Sequence, residues 1–190
     1  MAKQFDALSA EHRRFIERQP IFFVATAPRE GHVNLSPKGG PDLAILGPTR
    51  ILWLNLTGSG NETAAHLLDS NRITLMWCAF EGPPQILRVY GRGRAIHADD
   101  DEWSTCAQQI PAVLGARQYF SIDVDLVLES CGYAVPQMDY RADRSALMEW
   151  AEAHGEEGIR AYQAAKNTQS LDGLPTGLPT GLPTGLESGD

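Results

Sequence analysis

The stretch WLNLTGSGNETAAHLLDSNRITLMW, residues 53–77, decides how this chain divides into elements. It begins as an apolar strand, passes through a loop rich in glycine and hydroxyls, and becomes a helix from about Asn61 to Ser70, with Leu67 and Leu68 directed inward. A second strand-like run, RITLMWCAF (72–80), follows at once. The stretch therefore predicts strand, loop, helix and strand in direct succession.

The loop of this stretch has the composition of an anion-binding site. Its glycines permit positive φ and close approach of a ligand to the backbone. The first N–H groups of the helix lack partners and carry the positive end of the helix dipole. A turn capped by Ser59 or Asn61 would explain part of this composition, but three hydroxyls and two glycines exceed what a cap requires. The residues predicted to surround a phosphate are Thr57, Gly58, Ser59, Gly60, Asn61 and Thr63.

The flanking sequence consists of short strands joined by tight turns. Neighbouring strands with short connections pair antiparallel, because parallel neighbours need a crossover of about a dozen residues or more. We therefore predict an α+β protein, mainly antiparallel β, with a six-to-seven-stranded barrel that is closed or partly closed and has helices at its periphery. The remaining predicted strands are 21–27, 32–36, 43–46, 51–56, 86–96 and a run from Ser121, and the helices are 9–19, 99–110 and a C-terminal pair broken at Gly155.

The motif Gly58-x-Gly60-x-x-Thr63 nearly matches a dinucleotide-binding fingerprint, with Glu81 at about the right distance. That fingerprint needs parallel strands joined by helical crossovers and a third glycine. The hairpins around this loop argue against it. A dinucleotide-binding enzyme is the alternative that a parallel sheet would support.

A second polar group lies on the strand after the first turn. Alternation places Asn34 and Ser36 on one face, and Pro37 is expected to end the strand so that Lys38 projects beside them. These side chains either line a ligand cleft or form a solvated strand face. The only acid between Gly31 and Gly60 is Asp42, so a local anion site is compatible with the pattern of charge.

Composition limits the other classes of function. The chain has 190 residues and a net charge of −8, which argues against broad electrostatic binding of nucleic acid or anionic lipid. Three cysteines without paired spacing predict reduced thiols and no metal site. The absence of a long apolar run predicts a cytoplasmic protein. We expect one domain over residues 1–170 and a Gly/Pro-rich tail over 171–190, where Leu-Pro-Thr-Gly occurs three times.

Three motifs together resemble the pyridoxamine 5′-phosphate oxidase-like family of FMN-binding split-barrel flavoproteins. They are VNLSPKG (33–39), the stretch 53–77 quoted above, and ILRVYGRGR (86–94). The resemblance implies a split-barrel fold, FMN as cofactor, and a homodimer with FMN at the subunit interface. It places the loop residues near the FMN phosphate and Asn34, Ser36 and Lys38 near the ribityl chain or ring.

The resemblance implies an FMN-binding oxidoreductase that moves two electrons through flavin N5 to or from a small molecule. The alternative is a non-catalytic split-barrel protein that binds flavin or haem for storage or sensing. Two departures argue against pyridoxamine phosphate as substrate. Gly60-Asn61-Glu62 stands where the vitamin B6 oxidase has an Arg-Lys pair, and that oxidase's Arg- and Trp-containing substrate motif is missing.

Three further side chains are candidates for this site. Lys38 would stabilise negative charge on the reduced flavin or pair with the phosphate. Arg88 would reach the cofactor or substrate of the partner subunit, or instead form a surface salt bridge. Cys131, after the last strand, would lie near the flavin ring or be a buried structural thiol.

Overall fold

The computed structural model describes residues 2–40 and 42–179, which form eight strands and four helices. The order along the chain is β1 (Lys3–Phe5), α1 (Ala10–Glu17), β2 (Ile21–Thr26), β3 (Asn34–Gly39), β4 (Leu43–Gly47), β5 (Arg50–Leu56), α2 (Glu62–Ser70), β6 (Arg72–Cys78), β7 (Ile86–Ile96), α3 (Trp103–Gln109), β8 (Ala116–Ser130) and α4 (Ala146–Lys166).

The strands form one sheet in the order β3-β2-β6-β7-β8-β5-β4, with β1 paired to the far end of β8. Every strand pair in the described residues is antiparallel. No pairing joins β3 to β4 within that part of the chain, so the barrel is split between these edges. The predicted fold class is confirmed, and the dinucleotide-binding alternative is excluded because it needs a parallel sheet.

The core lies on the inner face of this sheet. Val24, Leu75, Val89 and Val127 are almost completely buried there, and their neighbours along each strand point outward. This alternation is the period of two expected for strands with one buried face. Trp53 stacks on Phe120, with ring centroids 4.9 Å apart, in the same core. Burying an apolar side chain of this size contributes about 1.5–3 kcal/mol.

Two local predictions were wrong. Pro37 does not end pairing, because β3 continues to Gly39 and Pro37 lies opposite Phe23. Since β3 is an edge strand, the missing N–H of proline costs no ladder hydrogen bond on the open side. Leu68 is 61% exposed, whereas Leu67 is buried as predicted. Consecutive helical residues lie about 100° apart, so only one of the pair can face the sheet.

The last described part of the chain is a helix followed by a segment up to residue 179, and both form hydrogen bonds with the loop and helix that follow β5. α4 is interrupted at Gly155, whose φ of 60° is not helical, which confirms the predicted break. Beyond α4, Gln169 bridges to Pro175 and Thr176 is completely buried. The described part of the predicted tail thus includes 171–179, and the remaining residues of that tail fall outside the described residues. Within the described ranges no helix is long and apolar enough to cross a membrane.

Candidate functional site

The loop between β5 and α2 presents the unpaired end of a helix. Asn61 is the N-cap residue, yet its side chain makes no capping hydrogen bond. Among the described residues, the first backbone bond into this turn comes from Ala65 to Asn61. The preceding N–H groups of α2 are therefore free to bind a ligand, and the helix dipole makes this end attractive to anions.

A cavity of about 220 Å³ lies between this helix end and β3. Because β3 contributes alternate residues, its polar side chains face the cavity together, and Ser36 donates a hydrogen bond of 3.2 Å to Asn34. Eight of the residues predicted from the sequence line this cavity: Asn34, Ser36, Lys38, Gly58, Ser59, Gly60, Asn61 and Thr63.

Thr57 belongs to the supporting structure of the loop. Its hydroxyl donates to the Gly115 carbonyl at 2.9 Å and accepts from Gln163 at 2.7 Å. The side chain is 2% exposed and does not line the cavity. It therefore fixes the loop to neighbouring segments.

The two loop glycines do not adopt positive φ, in contrast to the conformation that their presence suggested. A Cβ at Gly58 would meet no atom within 4 Å, and one at Gly60 would meet only Glu62. Their backbone conformation does not require glycine. Because neither glycine has a side chain, the space beside the loop is open.

Arg117 is the principal residue of the cavity that sequence reasoning missed. It comes from the start of β8 and is 6% exposed. Its guanidinium donates to the side chains of Asn55 (2.6 Å) and Asn167 (2.7 Å) and to the Gly60 carbonyl (2.9 Å). All these acceptors are neutral, and in the described chain Arg117 forms no salt bridge.

Buried amides surround this guanidinium and fix its position. Gln118 donates to Asn61 at 2.6 Å and to Asn55 at 3.2 Å, and Asn61 donates to the Asn167 carbonyl at 3.3 Å. A polar Asn55 inside the apolar strand ILWLNL was the sequence signal for this network, because buried polar residues are informative exceptions. Arg117 and Gln118 were harder to recognise as buried polar residues, because the predicted strand began only at Ser121 and left both outside it.

Lys38 is the second cation of the cavity. Burial, and then the nearby positive charge of Arg117, lower the pKa of Lys38 to about 8. Burial also lowers the pKa of Arg117 to about 10, so both groups are mainly charged at neutral pH. The Lys38 ammonium lies 5.4 Å from the centre of the Trp53 ring. Two like charges and a free helix end therefore converge on one cavity, where an anion would relieve their desolvation and mutual repulsion.

Glu62 is the acidic residue at the edge of this cavity. Its carboxylate accepts hydrogen bonds of 3.0 and 3.1 Å from the Leu171 backbone N–H. It also lies 3.8 Å from His66, which bonds to Thr26 in the protein interior. The carboxylate is thus held by the C-terminal segment and is not an ion-pair partner of Lys38 or Arg117.

Comparisons with known proteins agree with this fold. A family model described as pyridoxamine 5′-phosphate oxidase matches residues 8–131. The chain is 36% identical, over 189 aligned residues, to the pyridoxamine 5′-phosphate oxidase family protein ustO of Aspergillus flavus, covering 90% of this chain and 76% of that protein. The chain belongs to the pyridoxamine 5′-phosphate oxidase family.

Two solved structures share the split-barrel fold of this family. One, from Lactobacillus delbrueckii, is described as a candidate pyridoxamine 5′-phosphate oxidase; it has 18% identity and a TM-score of 0.50, covering 65% of this chain and 94% of that one. The other is a variant of HupZ from Group A Streptococcus, with 17% identity and a TM-score of 0.52, covering 64% of this chain and 98% of that one. At these identities the likeness concerns the fold.

The remaining two predicted site residues of this family member lie outside the cavity. Arg88 is on the outer face of the sheet, where it donates to Ser130 at 3.2 Å. Cys131 follows β8 and is exposed. The structure does not bring either residue to the Lys38–Arg117 cavity within one chain.

A larger groove of about 830 Å³ lies between the end of α1 and the segments 79–85 and 138–143. Its charged residues are Glu17, Arg18, Glu81 and Asp143, so carboxylates outnumber cations. This charge does not suit a phosphate. Of these two spaces, the smaller cavity is the one whose charges suit an anion.

Proposed function

We propose that this member of the pyridoxamine 5′-phosphate oxidase family is an FMN-dependent oxidoreductase, with the FMN phosphate in the Lys38–Arg117 cavity. The observation that carries the proposal is a buried arginine and a half-buried lysine, neither of them in a salt bridge within the described residues, beside the free N-terminus of α2. A phosphate monoester is a compact dianion with several acceptor oxygens, which these charges and N–H groups suit.

The residues present fit this cofactor although the loop lacks the Arg-Lys pair of the vitamin B6 oxidase. Arg117 supplies a cation from β8 to the same loop, since it bonds to the Gly60 carbonyl. Thr63 and Ser59 add hydroxyls at the helix end. The positive charge at this loop therefore comes from β8 and not from the loop itself.

Bound FMN would supply transfer of a hydride, which carries two electrons and a proton, at its N5 atom. The protein residues hold the phosphate end, and the Asn34 and Ser36 side chains offer hydrogen bonds along β3 toward the rest of the cofactor. Lys38, on the same face of β3, places positive charge in the cavity. The buried amides keep Arg117 fixed, so the site is preorganised before a ligand arrives.

The cavity supports a homodimer as the working form. Its volume of about 220 Å³ is below the ~300–1,000 Å³ usual for small-molecule sites. The protomer therefore encloses part of the cofactor, and a second copy would cover the ring. The second copy could dock on the outer face of the sheet, which β3, β2, β6, β7 and β8 form. Two rows of paired residues cross this face: Pro37, Phe23, Met76, Arg88 and Leu128 in one, and Leu35, Ala25, Thr74, Tyr90 and Leu126 in the next.

None of these ten outward residues is fully buried in one chain, and Arg88 is the single charged residue among them. Large apolar surfaces of this kind mark interfaces in soluble proteins. In a dimer formed through this face, Arg88 and Tyr90 would lie at the interface. The interpretation of Arg88 as a residue that acts on the partner's site depends on this dimer.

Titration of the purified protein with FMN tests the proposal. We expect a yellow protein that bleaches with dithionite and recovers its colour in air. Arg117→Met should weaken FMN binding by about 10- to 100-fold, since a hydrogen bond to a charged group contributes about 1.5–3 kcal/mol. Arg50→Met is the matched control, because Arg50 pairs with Asp123 on the surface.

A protein that FMN cannot colour would overturn the proposal, and so would equal FMN affinities for the two arginine variants. The oxidoreductase assignment is tested separately by stopped-flow reduction with NADH, NADPH and primary amines. Reduction of the bound flavin by one of these donors would support it. Stable FMN binding with none of these donors active would favour the non-catalytic flavin-binding alternative.

A further inference from the structure

The residues after α4 cross the loop between β5 and α2, and we call residues 167–177 the C-terminal strap. Leu171 bonds to Glu62 at the start of α2, and Asp172 accepts from the His32 backbone N–H at 2.8 Å. The family match ends at residue 131, so the strap is an addition to the matched region. It forms hydrogen bonds with the loop, with α2 and with the turn before β3.

Asn167 is the residue through which the strap contacts the cavity. It is completely buried. Its side-chain oxygen accepts from Arg117 at 2.7 Å, and its side-chain nitrogen donates to the Gly58 carbonyl at 3.0 Å. Its backbone carbonyl accepts from Asn61 and from Thr176, at 3.3 and 2.7 Å. One amide therefore connects the buried cation to the loop.

Resting on the proposed function, we propose that Asn167 is a positioning residue that sets the affinity of the cavity for a phosphate monoester by holding Arg117 and the Gly58 carbonyl in fixed relative positions. It acts through these two groups and needs no contact with the ligand. The strap, anchored at Leu171 and Thr176, determines where Asn167 lies.

The neutrality of Asn167 is central to this role. The asparagine side chain has a carbonyl oxygen that accepts and an NH₂ group that donates. Here the oxygen accepts from Arg117 and the NH₂ group donates to the Gly58 carbonyl. An aspartate would still accept from Arg117, but it would neutralise the guanidinium and place a carboxylate opposite the Gly58 carbonyl. A neutral acceptor instead orients the cation and leaves its charge for the ligand.

The test compares FMN with riboflavin, which has the same ring and ribityl chain without the phosphate. For Asn167→Asp we expect FMN affinity to fall by at least tenfold and riboflavin affinity to stay within about twofold. Thr176→Val removes the hydroxyl that donates to the Asn167 carbonyl and should lower FMN affinity about two- to fivefold. Ser70→Ala, which loses a bond of 2.6 Å to Ala27 at the opposite end of α2, should change neither affinity.

Equal FMN affinities of Asn167→Asp and the natural protein would overturn the inference, as would an equal fall for both ligands. Inorganic phosphate, followed by its effect on the thermal unfolding midpoint, tests the same positioning without flavin. The natural protein should gain more stability from phosphate than Asn167→Asp does, and equal gains would refute the positioning role. Failure of the natural protein to bind FMN would count against the proposed function alone.

Discussion

Lys38 and Arg117 show how position in the fold changes the properties of single residues. On a solvated strand Lys38 would have its ordinary pKa, but burial beside a second cation lowers it to about 8. The sequence indicated Lys38 because it follows two polar residues of the same strand face. Arg117 was not predicted, because it is 79 positions away in sequence and its predicted strand began four residues later.

The lowered pKa of Lys38 predicts opposite pH trends for stability and for anion binding. Between pH about 8 and 10.5 the unfolded chain binds more protons at this residue than the folded protein does. The free energy of unfolding of the ligand-free protein should therefore gain a contribution that rises with pH in this window. Phosphate or FMN affinity should fall over the same window, by at most about tenfold per pH unit, because the ammonium is lost.

Urea unfolding and FMN titration from pH 7 to 10 measure these two trends. Lys38→Met removes the titrating group and is the control, so its FMN affinity should lack the step that begins near pH 8. A natural protein whose FMN affinity is flat across this range would show that Lys38 does not contribute its charge to the site.

At the scale of elements, the strand period predicted which face of β3 is polar, but it could not predict where the strand ends. That end depends on whether a strand pairs on one side or two, which is a property of the sheet. As an edge strand β3 tolerates Pro37 and extends Lys38 along the cavity wall. β1 was missed because three residues carry no periodic pattern, and it exists only through its pairing with β8.

The contact between β7 and β8 requires glycine at position 91. The register of these strands shifts between Tyr90 and Gly91, and a Cβ on Gly91 would collide with the backbone oxygen of Asp123. Gly91→Ala should lower the free energy of unfolding by about 3 kcal/mol, because backbone has to move to relieve this contact. Urea denaturation measures the loss.

Gly47→Ala is the matched control for this prediction, since a Cβ there meets no atom within 4 Å and its φ is not positive. We expect a change within about 0.5 kcal/mol for this variant. Equal stabilities of the two alanine variants would show that the sheet adapts around position 91 without cost.

At the scale of the whole molecule, the proposed anion site and the net charge of −8 are separate properties. The cavity gathers Lys38, Arg117 and a helix end, while most of the excess acid lies elsewhere on the chain. The outer face of β3, β2, β6, β7 and β8 is the other large-scale feature. It remains only partly buried in one protomer, which is why we propose that a second copy covers it.

Leu35→Arg tests this assembly. Leu35 is 63% exposed in one chain and lies at the edge of the outer face, so the substitution should leave the protomer folded and weaken self-association. Light scattering coupled to size exclusion should report twice the chain mass for the natural protein and a shift toward one chain mass for the variant. FMN affinity should fall with the loss of the dimer.

Leu68→Arg controls for the added charge, because Leu68 has a similar exposed fraction, 61%, on the outer side of α2. It should leave the mass unchanged. A natural protein that remains a single chain at micromolar concentration while binding FMN tightly would contradict the dimeric site.

The sequence by itself determined the seven main strands, the helix after the β5–α2 loop, the break at Gly155 and the polar face of β3. These depend on local periodicity and on turn and cap residues, which act over a few positions. Only the tertiary structure decided that Arg117 joins Lys38 in one cavity and that Asn167 holds it there. Those contacts join residues that are 50 or more positions apart, so they arise from strand order and from the path of the C-terminal segment. No short-range sequence pattern predicts these contacts, because they form only when the whole inner face of the sheet is buried.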